Sequence, residues 1–527
     1  MPEMMNRTLA ALSVSALSAW AWAYVTPVAH AAPTAPITPA QAASPMATDP
    51  TAASNPTSPD RTALPPAPES QLHIHRAHGA SYVAPHVTYR PGPPSAVPPL
   101  PQPESVFTDP GGMTSWLTNR GISFHFDNTN EFAGAITPPT RGPRYGNYRQ
   151  GSSNAGQYSV NLNINWEQLA GVRGFSTHVI TVGRYGTTAN RMFGDWLAHS
   201  SEIYGGGGNV AVHFVSAYGE ETILGGRLDF AGGRMSQLSD FAASPLFCQF
   251  MNNSMCGRPK GASDSTFYSS YPASTWAFRI KGRPRPDMYI QTGVYFAENG
   301  IYMNIQHRTG FKLNGANIVG YVVPVELQWE PKFGAHGNLP GHYKFGFTYE
   351  DVSRPDNYYN VNGRPFALAG GSAMMNPHSW QTYMMTDQKL IHYKGSSPAA
   401  GLTFLAGFIY NDPRTAIRDF EVYGALENRG FWPARPMDSI GLAFTYTSIA
   451  PGTRNTEALL MAQNRTGLPN HATGVQTNAE IIEFNYAIHV MRGVTFAPDF
   501  QYYFNPNGQH ALRDAAMLGF KTYVSIF

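Results

Sequence analysis

The sequence predicts an all-β protein: a transmembrane antiparallel β-barrel of about sixteen strands, preceded by a Pro/Ala-rich disordered segment. Three observations carry that expectation. They are an N-terminal export signal, a composition poor in charge but rich in aromatics, and period-two alternation from about residue 120 onward.

The export signal occupies residues 1–31. Arg7 supplies a positive start, and Leu9 to Val25 is mostly Ala, Leu, Val and Trp. Ala29-His30-Ala31 then offers a small-x-small cleavage site, the pattern of a secretory signal peptide. Nothing later in the chain reaches the ~18 consecutive apolar residues that a membrane-crossing helix needs.

Residues 32–105 form a compositional block of their own. Eighteen of the 43 prolines fall between Pro33 and Pro103, among Ala, Thr and Ser. Such a stretch cannot bury enough apolar surface to offset its ordering entropy, so a disordered linker is expected. Its His73, His75 and His78 read as a solvated tract, and no metal site and no cofactor are expected.

Charged residues make up 13% of the 527, and aromatic residues another 13%. Soluble globular chains carry roughly 25% charge. The net charge is only +2 and the basic residues are scattered, which excludes nucleic acid as a partner. No G-x-S-x-G or H-E-x-x-H motif is present and the histidines are dispersed, so an enzyme is not expected.

The alternation fills residues 106–527, the barrel region. In Ser159 to Trp166, Val160, Leu162, Ile164 and Trp166 share one face, while Asn161, Asn163 and Asn165 share the other. Trp276, Phe278 and Ile280 oppose Arg279 and Lys281. Val323, Val325, Leu327 and Trp329 oppose Glu326, Gln328 and Glu330. Tyr343, Phe345 and Phe347 oppose Lys344, and Phe496, Phe500, Tyr502 and Phe504 oppose Asp499 and Gln501. Sixteen or seventeen such runs can be counted, the weakest near 301–313. A bilayer crossing takes ~9–11 residues at a tilt.

A soluble sandwich also alternates, but its outer face is rich in Lys and Glu. Here the polar faces favour Asn, Gln, Thr and isolated charges, and the apolar faces end in Trp, Tyr or Phe. That combination fits an aromatic girdle against lipid and a wet lumen, hence the outer membrane of a Gram-negative bacterium. Arg279, Lys281, Glu326, Lys344 and Asp499 are expected to face that lumen. In the last strand either Phe520, Val524 and Ile526 or Tyr523 and Phe527 could face lipid.

Several blocks, in order, resemble the carbohydrate-selective porins of the OprB type over roughly residues 111–527. They include Trp116-Leu117 with Arg120-Gly121-Ile122-Ser123-Phe124, Trp166 to Gly171, and Gly226-Arg227-Leu228-Asp229. Leu339 to Lys344, Asn411 to Thr415, Gly430 to Pro436, and Pro498 to Tyr502 with Asn505-Pro506 complete the set. The resemblance implies a sixteen-stranded barrel that lets monosaccharides diffuse down their gradient. It also implies that residues 111–120 pack at the periplasmic mouth. Small sugar or polyol solutes and outer-membrane lipid are then the partners, with a homotrimer as the assembly common among porins of this size. An adhesin or structural barrel using the Pro-rich arm and outer loops is the alternative.

A sugar presents apolar ring faces and a girdle of hydroxyls, so a selective passage needs aromatic surfaces and facing donors and acceptors. Two segments, about 186–208 and 231–274, are long enough to fold inward. The candidate constriction set is Arg191, Asp195, Trp196, Arg227 and Asp229. The last two are placed on the polar face of one strand, opposite Leu224, Leu228 and Phe230. Cys248 and Cys256, in the second segment, are expected to form a local disulfide, as export favours oxidation. One departure from the family is clear. Its members carry an Arg, a carboxylate and a Trp on the strand before a glycine-acid turn. The stretch Asn209 to Tyr218 has none of these, and Gly219-Glu220 is read as that turn. A glucose preference therefore does not carry over, and a different sugar, a polyol or a broader small-solute pore stays open.

Overall fold

Alternation along each strand becomes a closed wall. The computed structural model describes residues 105–142, 150–203, 210–256, 260–264, 267, 269–299, 309–394 and 396–527. The signal peptide, the linker up to residue 104 and its histidine tract lie outside the described residues. So do residues 301–308 of the weakest candidate strand, whose remainder, 309–313, is loop.

Sixteen antiparallel strands make the wall. The first eight are Ile122–Ala135 (β1), Ser152–Asn165 (β2), Phe175–Gly186 (β3), His213–Ile223 (β4), Leu228–Met235 (β5), Thr275–Arg285 (β6), Met288–Glu298 (β7) and Ile318–Trp329 (β8). The others are Leu339–Asp351 (β9), Ser379–Ile391 (β10), Gly401–Asn411 (β11), Arg418–Arg429 (β12), Ser439–Ile449 (β13), Asn478–Met491 (β14), Val494–Phe504 (β15) and Ala515–Ser525 (β16). β1 pairs with β16 from Asp127↔Ser525 to Ala135↔Met517. That closure leaves no strand edge for lipid to meet.

Directly paired residues share a face, so the register fixes which side chains look inward. Asn161 lies opposite His125 and Asn163 opposite Ser123 on the lumen side, while Leu162 and Ile164 look outward. In β16 the pairs Glu131↔Lys521 and Thr129↔Tyr523 turn Lys521 and Tyr523 inward, leaving Phe520 and Val524 to lipid. Large exposed apolar residues such as Trp276, Phe278, Leu327, Phe345, Phe444 and Phe484 cover the rest of the exterior.

Short turns close one end, which is the periplasmic one, and long loops the other. At the β2–β3 turn, Asn165 Oδ1 accepts the Glu167 and Gln168 N–H groups at 3.0 and 3.2 Å, capping a short helix that Gly171 ends at φ 75. The β4–β5 turn needs left-handed backbone at Leu224, Gly225 and Gly226, so it lies four residues beyond Glu220. Gly219 and Glu220 are therefore mid-strand in β4, not the turn expected of them. The helix Met113–Thr118 packs against β1 at this same end. Just before it, Phe107 N–H donates to the Ile526 carbonyl at 3.0 Å and its ring lies 5.6 Å from that of Phe527.

Candidate functional site: the lumen and its infolded loops

The described residues of the segment 236–274, between β5 and β6, fold into the barrel. Its Leu238, Phe241, Leu246, Phe247, Phe250 and Met255 are buried against inward wall residues, among them Ala277, Tyr383, Leu405, Ile409 and Ala443. Burying one such side chain stabilises by roughly 1.5–3 kcal/mol, so this face of the loop holds it firmly. Small inward alanines make the room. The β5–β13 side of the lumen is thus filled by an apolar core.

Wall carboxylates hold the backbone of the same loop. Glu326 accepts the Ala242 N–H at 3.0 Å, Glu483 the Asn252 N–H at 3.1 Å, Glu421 the Gly261 N–H at 2.8 Å and Glu350 the Phe267 N–H at 3.2 Å. Glu483 also accepts the Met251 N–H. An infolded loop has no strand partners for its amides, and a buried amide without one is costly. Inward Glu residues on β8, β9, β12 and β14 supply the acceptors. Glu131 does the same for Ile203 in the segment 187–212, at 3.0 Å.

A cavity of about 650 Å³ remains, lined by the loop, by Glu202 and Ile203 of the β3–β4 connection and by wall residues of β1, β2, β9 and β16. Lys344, Lys521, Asp240 and Glu202 bring both signs of charge to it. Tyr271 and Tyr523 add aromatic surface, and Thr129 and Gln157 add neutral polar groups. Asp240 is held by Arg279 at 2.6 Å and by the Tyr295 hydroxyl at 2.8 Å. Lys521 Nζ lies 3.2 Å from a Glu131 oxygen and donates to the Cys248 and Phe250 carbonyls at 3.2 and 3.3 Å.

The residues expected to face the lumen all occupy inward register. Arg279 bridges Asp240 and Glu220, Lys281 sits 5.3 Å over the Tyr289 ring, and Glu326 accepts from Tyr289 and Tyr383 hydroxyls at 2.7 Å. Lys344 reaches the Ala243 carbonyl, and Asp499 accepts from Gln501 at 2.9 Å.

The proposed constriction residues do not converge. Arg191 and Trp196 gather at the outer mouth, with the guanidinium 4.5 Å over the indole. Asp195, beside them, is fully buried. Its carboxylate caps the Leu197 and Ala198 amides at 2.7 and 3.0 Å, and burial pushes its pKa up against that pull. It shapes a turn and does not face solute. Arg227 is exposed in the β4–β5 turn at the opposite end, so it shares no strand face with Asp229. Asp229 points inward near that end, buried, and accepts from the Thr222 hydroxyl at 2.7 Å. Cys248 and Cys256, expected to pair as a disulfide, lie side by side in this structure with no bond drawn between their sulfurs. They are hydrogen-bond neighbours, and Cys256 Sγ faces Lys521 Nζ at 3.8 Å.

Lys521, Asp240, Tyr271 and Gln157 were not singled out from the sequence. Gln157 and Lys521 could have been found from strand alternation once the β16 register was known. Asp240 and Tyr271 lie on an irregular loop, where no period signals facing.

The sequence match falls on fifteen of the sixteen strands, β2 to β16. Residues 149–526 match the family described as carbohydrate-selective porin, OprB family. The chain belongs to that family. It is an outer-membrane porin for the passive diffusion of small sugars into the periplasm of a Gram-negative cell. Among its relatives, Porin B of Pseudomonas aeruginosa is 26% identical over 424 residues, covering 78% of this chain and 89% of the relative. The putative porin QuiX of Acinetobacter baylyi is 25% identical over 378 residues, covering 69% and 82%. The structure described as the high-pH form of Pseudomonas putida OprB superposes with a TM-score of 0.73 at 25% identity, over 80% of this porin and 99% of that chain.

Proposed function

We propose that solute crosses this porin through the cavity between the infolded loop and the β16–β1–β2 wall, and that Lys344, Lys521, Asp240, Gln157, Tyr271 and Tyr523 contact it. The protein acts as a channel and not as an enzyme. The observation that carries this reading is the lining itself. Opposed charges meet sugar hydroxyls and tyrosine rings meet sugar faces, contacts weak enough singly to let the solute leave again. Monosaccharides or small polyols suit it. Swelling of liposomes holding the refolded protein tests it: a monosaccharide and a polyol are expected to permeate quickly, a disaccharide slowly and a neutral amino acid hardly at all. Equal influx of all four removes the selectivity. No influx through folded protein overturns the channel and favours an adhesin.

The exterior supports self-association, with a homotrimer as the assembly proposed. On the lipid side of β1 and β2, Asn130 and Asn154 exchange amide hydrogen bonds of 2.9 and 2.8 Å, and the Tyr185 hydroxyl donates to Asn130 at 3.2 Å. Asn130 lies in the same outward row as Phe126 and Phe132, and opposite Thr522. Amides facing hydrocarbon are costly, whereas a second copy can cover them. Native mass spectrometry in mild detergent is expected to show a trimer that Asn130→Leu shifts toward monomer. A monomeric wild type rejects the assembly.

A further inference from the structure

At the outer mouth, a second cavity of about 430 Å³ has a different chemistry. It lies between residues 191–199, the start of β12 and residues 470–471. Its lining includes Arg191, Arg418, His199, His471, Trp196 and Asn470, and among the described residues it holds no carboxylate. The nearby Asp195 is buried and turned onto its own amides. Whereas the inner cavity balances two lysines against two acids, the described wall of this one has two guanidinium groups and two imidazoles and no acid.

The aromatic part is built in place. The Trp196 indole stacks on the His471 imidazole with centroids 3.9 Å apart and planes 20° from parallel. The Arg191 guanidinium lies 4.5 Å over the same indole. The Trp196 backbone N–H donates to Asn507 Oδ1 at 3.1 Å, and Arg418 donates to the Leu197 carbonyl, so wall and neighbouring loop both fix the turn. Fixed donors and a fixed ring surface lower the ordering cost of a bound solute.

We propose that this outer cavity is a recognition site for monoanionic sugar acids, a carboxylate joined to a hydroxylated ring or chain. The carboxylate lies against the Arg191 and Arg418 guanidinium groups, where charge-assisted bonds to a planar anion are strongest. The hydroxylated part lies against the Trp196–His471 stack and the Asn470 amide. Excess positive charge in a partly enclosed mouth also raises the local concentration of anions. A neutral sugar finds donors here but no charged acceptor, so it is not retained. The proposal rests on the porin reading and names a solute class and a station before the inner passage.

The test is ion-current block across a planar bilayer holding the full-length porin, with D-glucuronate, D-glucose or acetate added on the loop side. Glucuronate is expected to block reversibly at millimolar concentration, and glucose and acetate to do so at least about tenfold more weakly, glucose for want of the charge-assisted contact and acetate for want of the ring and hydroxyl contacts. Arg191→Gln and Trp196→Leu, both at the cavity surface, are each expected to raise the half-blocking glucuronate concentration by about tenfold. Equal block by glucuronate and acetate overturns the proposal, because charge alone then suffices. Equal block by glucuronate and glucose overturns it also, and so does a glucuronate block that both variants leave unchanged. Glucose influx in the swelling assay is a separate readout: its failure sinks the sugar-porin reading, not this site.

Discussion

Glu483→Leu is expected to release the infolded loop and raise the size limit of the porin. One carboxylate on β14 accepts from both the Met251 and Asn252 amides, with the second bond at 3.1 Å. A hydrogen bond of this kind contributes about 0.5–1.5 kcal/mol, and a buried amide left without a partner costs a further ~1–3. Leucine removes both acceptors and supplies none. The middle of the loop then loses its tie to the wall, and disaccharide influx into liposomes should rise several-fold, with larger and noisier single-channel conductance. Glu483→Gln keeps one carbonyl oxygen and should give a smaller change in the same direction. Were Glu483→Leu to keep the wild-type size limit, the apolar contacts of Phe241, Phe247 and Phe250 would have to hold the loop unaided.

The two kinds of loop anchor explain what the sequence could and could not show. Strand faces were legible wherever lipid sets the pattern. Val325, Leu327 and Trp329 face outward against inward Glu326 and Gln328 because hydrocarbon accepts only apolar side chains. The inner face answers to a different neighbour. Ala277, Leu405, Ile409 and Ala443 are apolar where a water-filled lumen asks for polar groups, because they pack against Phe247 and its neighbours. That contact joins residues far apart in the chain, and no local period records it. Likewise Glu326 reads as a lumen charge, yet it spends both oxygens on Tyr289, Tyr383 and the Ala242 amide.

The candidate site was less legible than the barrel for the same reason. Arg227 and Asp229 alternate as a polar face should, but left-handed backbone at Leu224, Gly225 and Gly226 moves the turn, and β5 begins only at Leu228. Arg191 and Trp196 were singled out as solute contacts, and they do line a cavity, the outer one. What could not be read was their company. Arg418, His471 and Asn470 come from β12 and the segment 450–477, more than two hundred residues away. Charge on a loop can be seen in a sequence, whereas the balance of charge around a cavity is a property of the closed barrel.

Lys521→Met should affect both stability and ion selectivity, because one ammonium serves the loop and the passage together. Its Nζ lies 3.2 Å from the fully buried Glu131 and donates to two carbonyls of the infolded loop. Removing one partner of a buried pair typically costs about 3–5 kcal/mol, since the other charge is left uncompensated. Lys521→Met should therefore lower the denaturant midpoint of the lipid-embedded protein. Lys521→Met combined with Glu131→Gln should recover much of that loss, and a double-mutant cycle measures the coupling. The same ammonium lines the inner cavity beside Asp240 and Glu202. Without it the local balance turns negative, so the reversal potential in a potassium chloride gradient should move toward cation selectivity. A midpoint shift with no change in reversal potential would confine Lys521 to a structural role and move the conducting path away from this cavity. A change in both, with rescue of the midpoint alone by Glu131→Gln, would separate the two duties of one side chain.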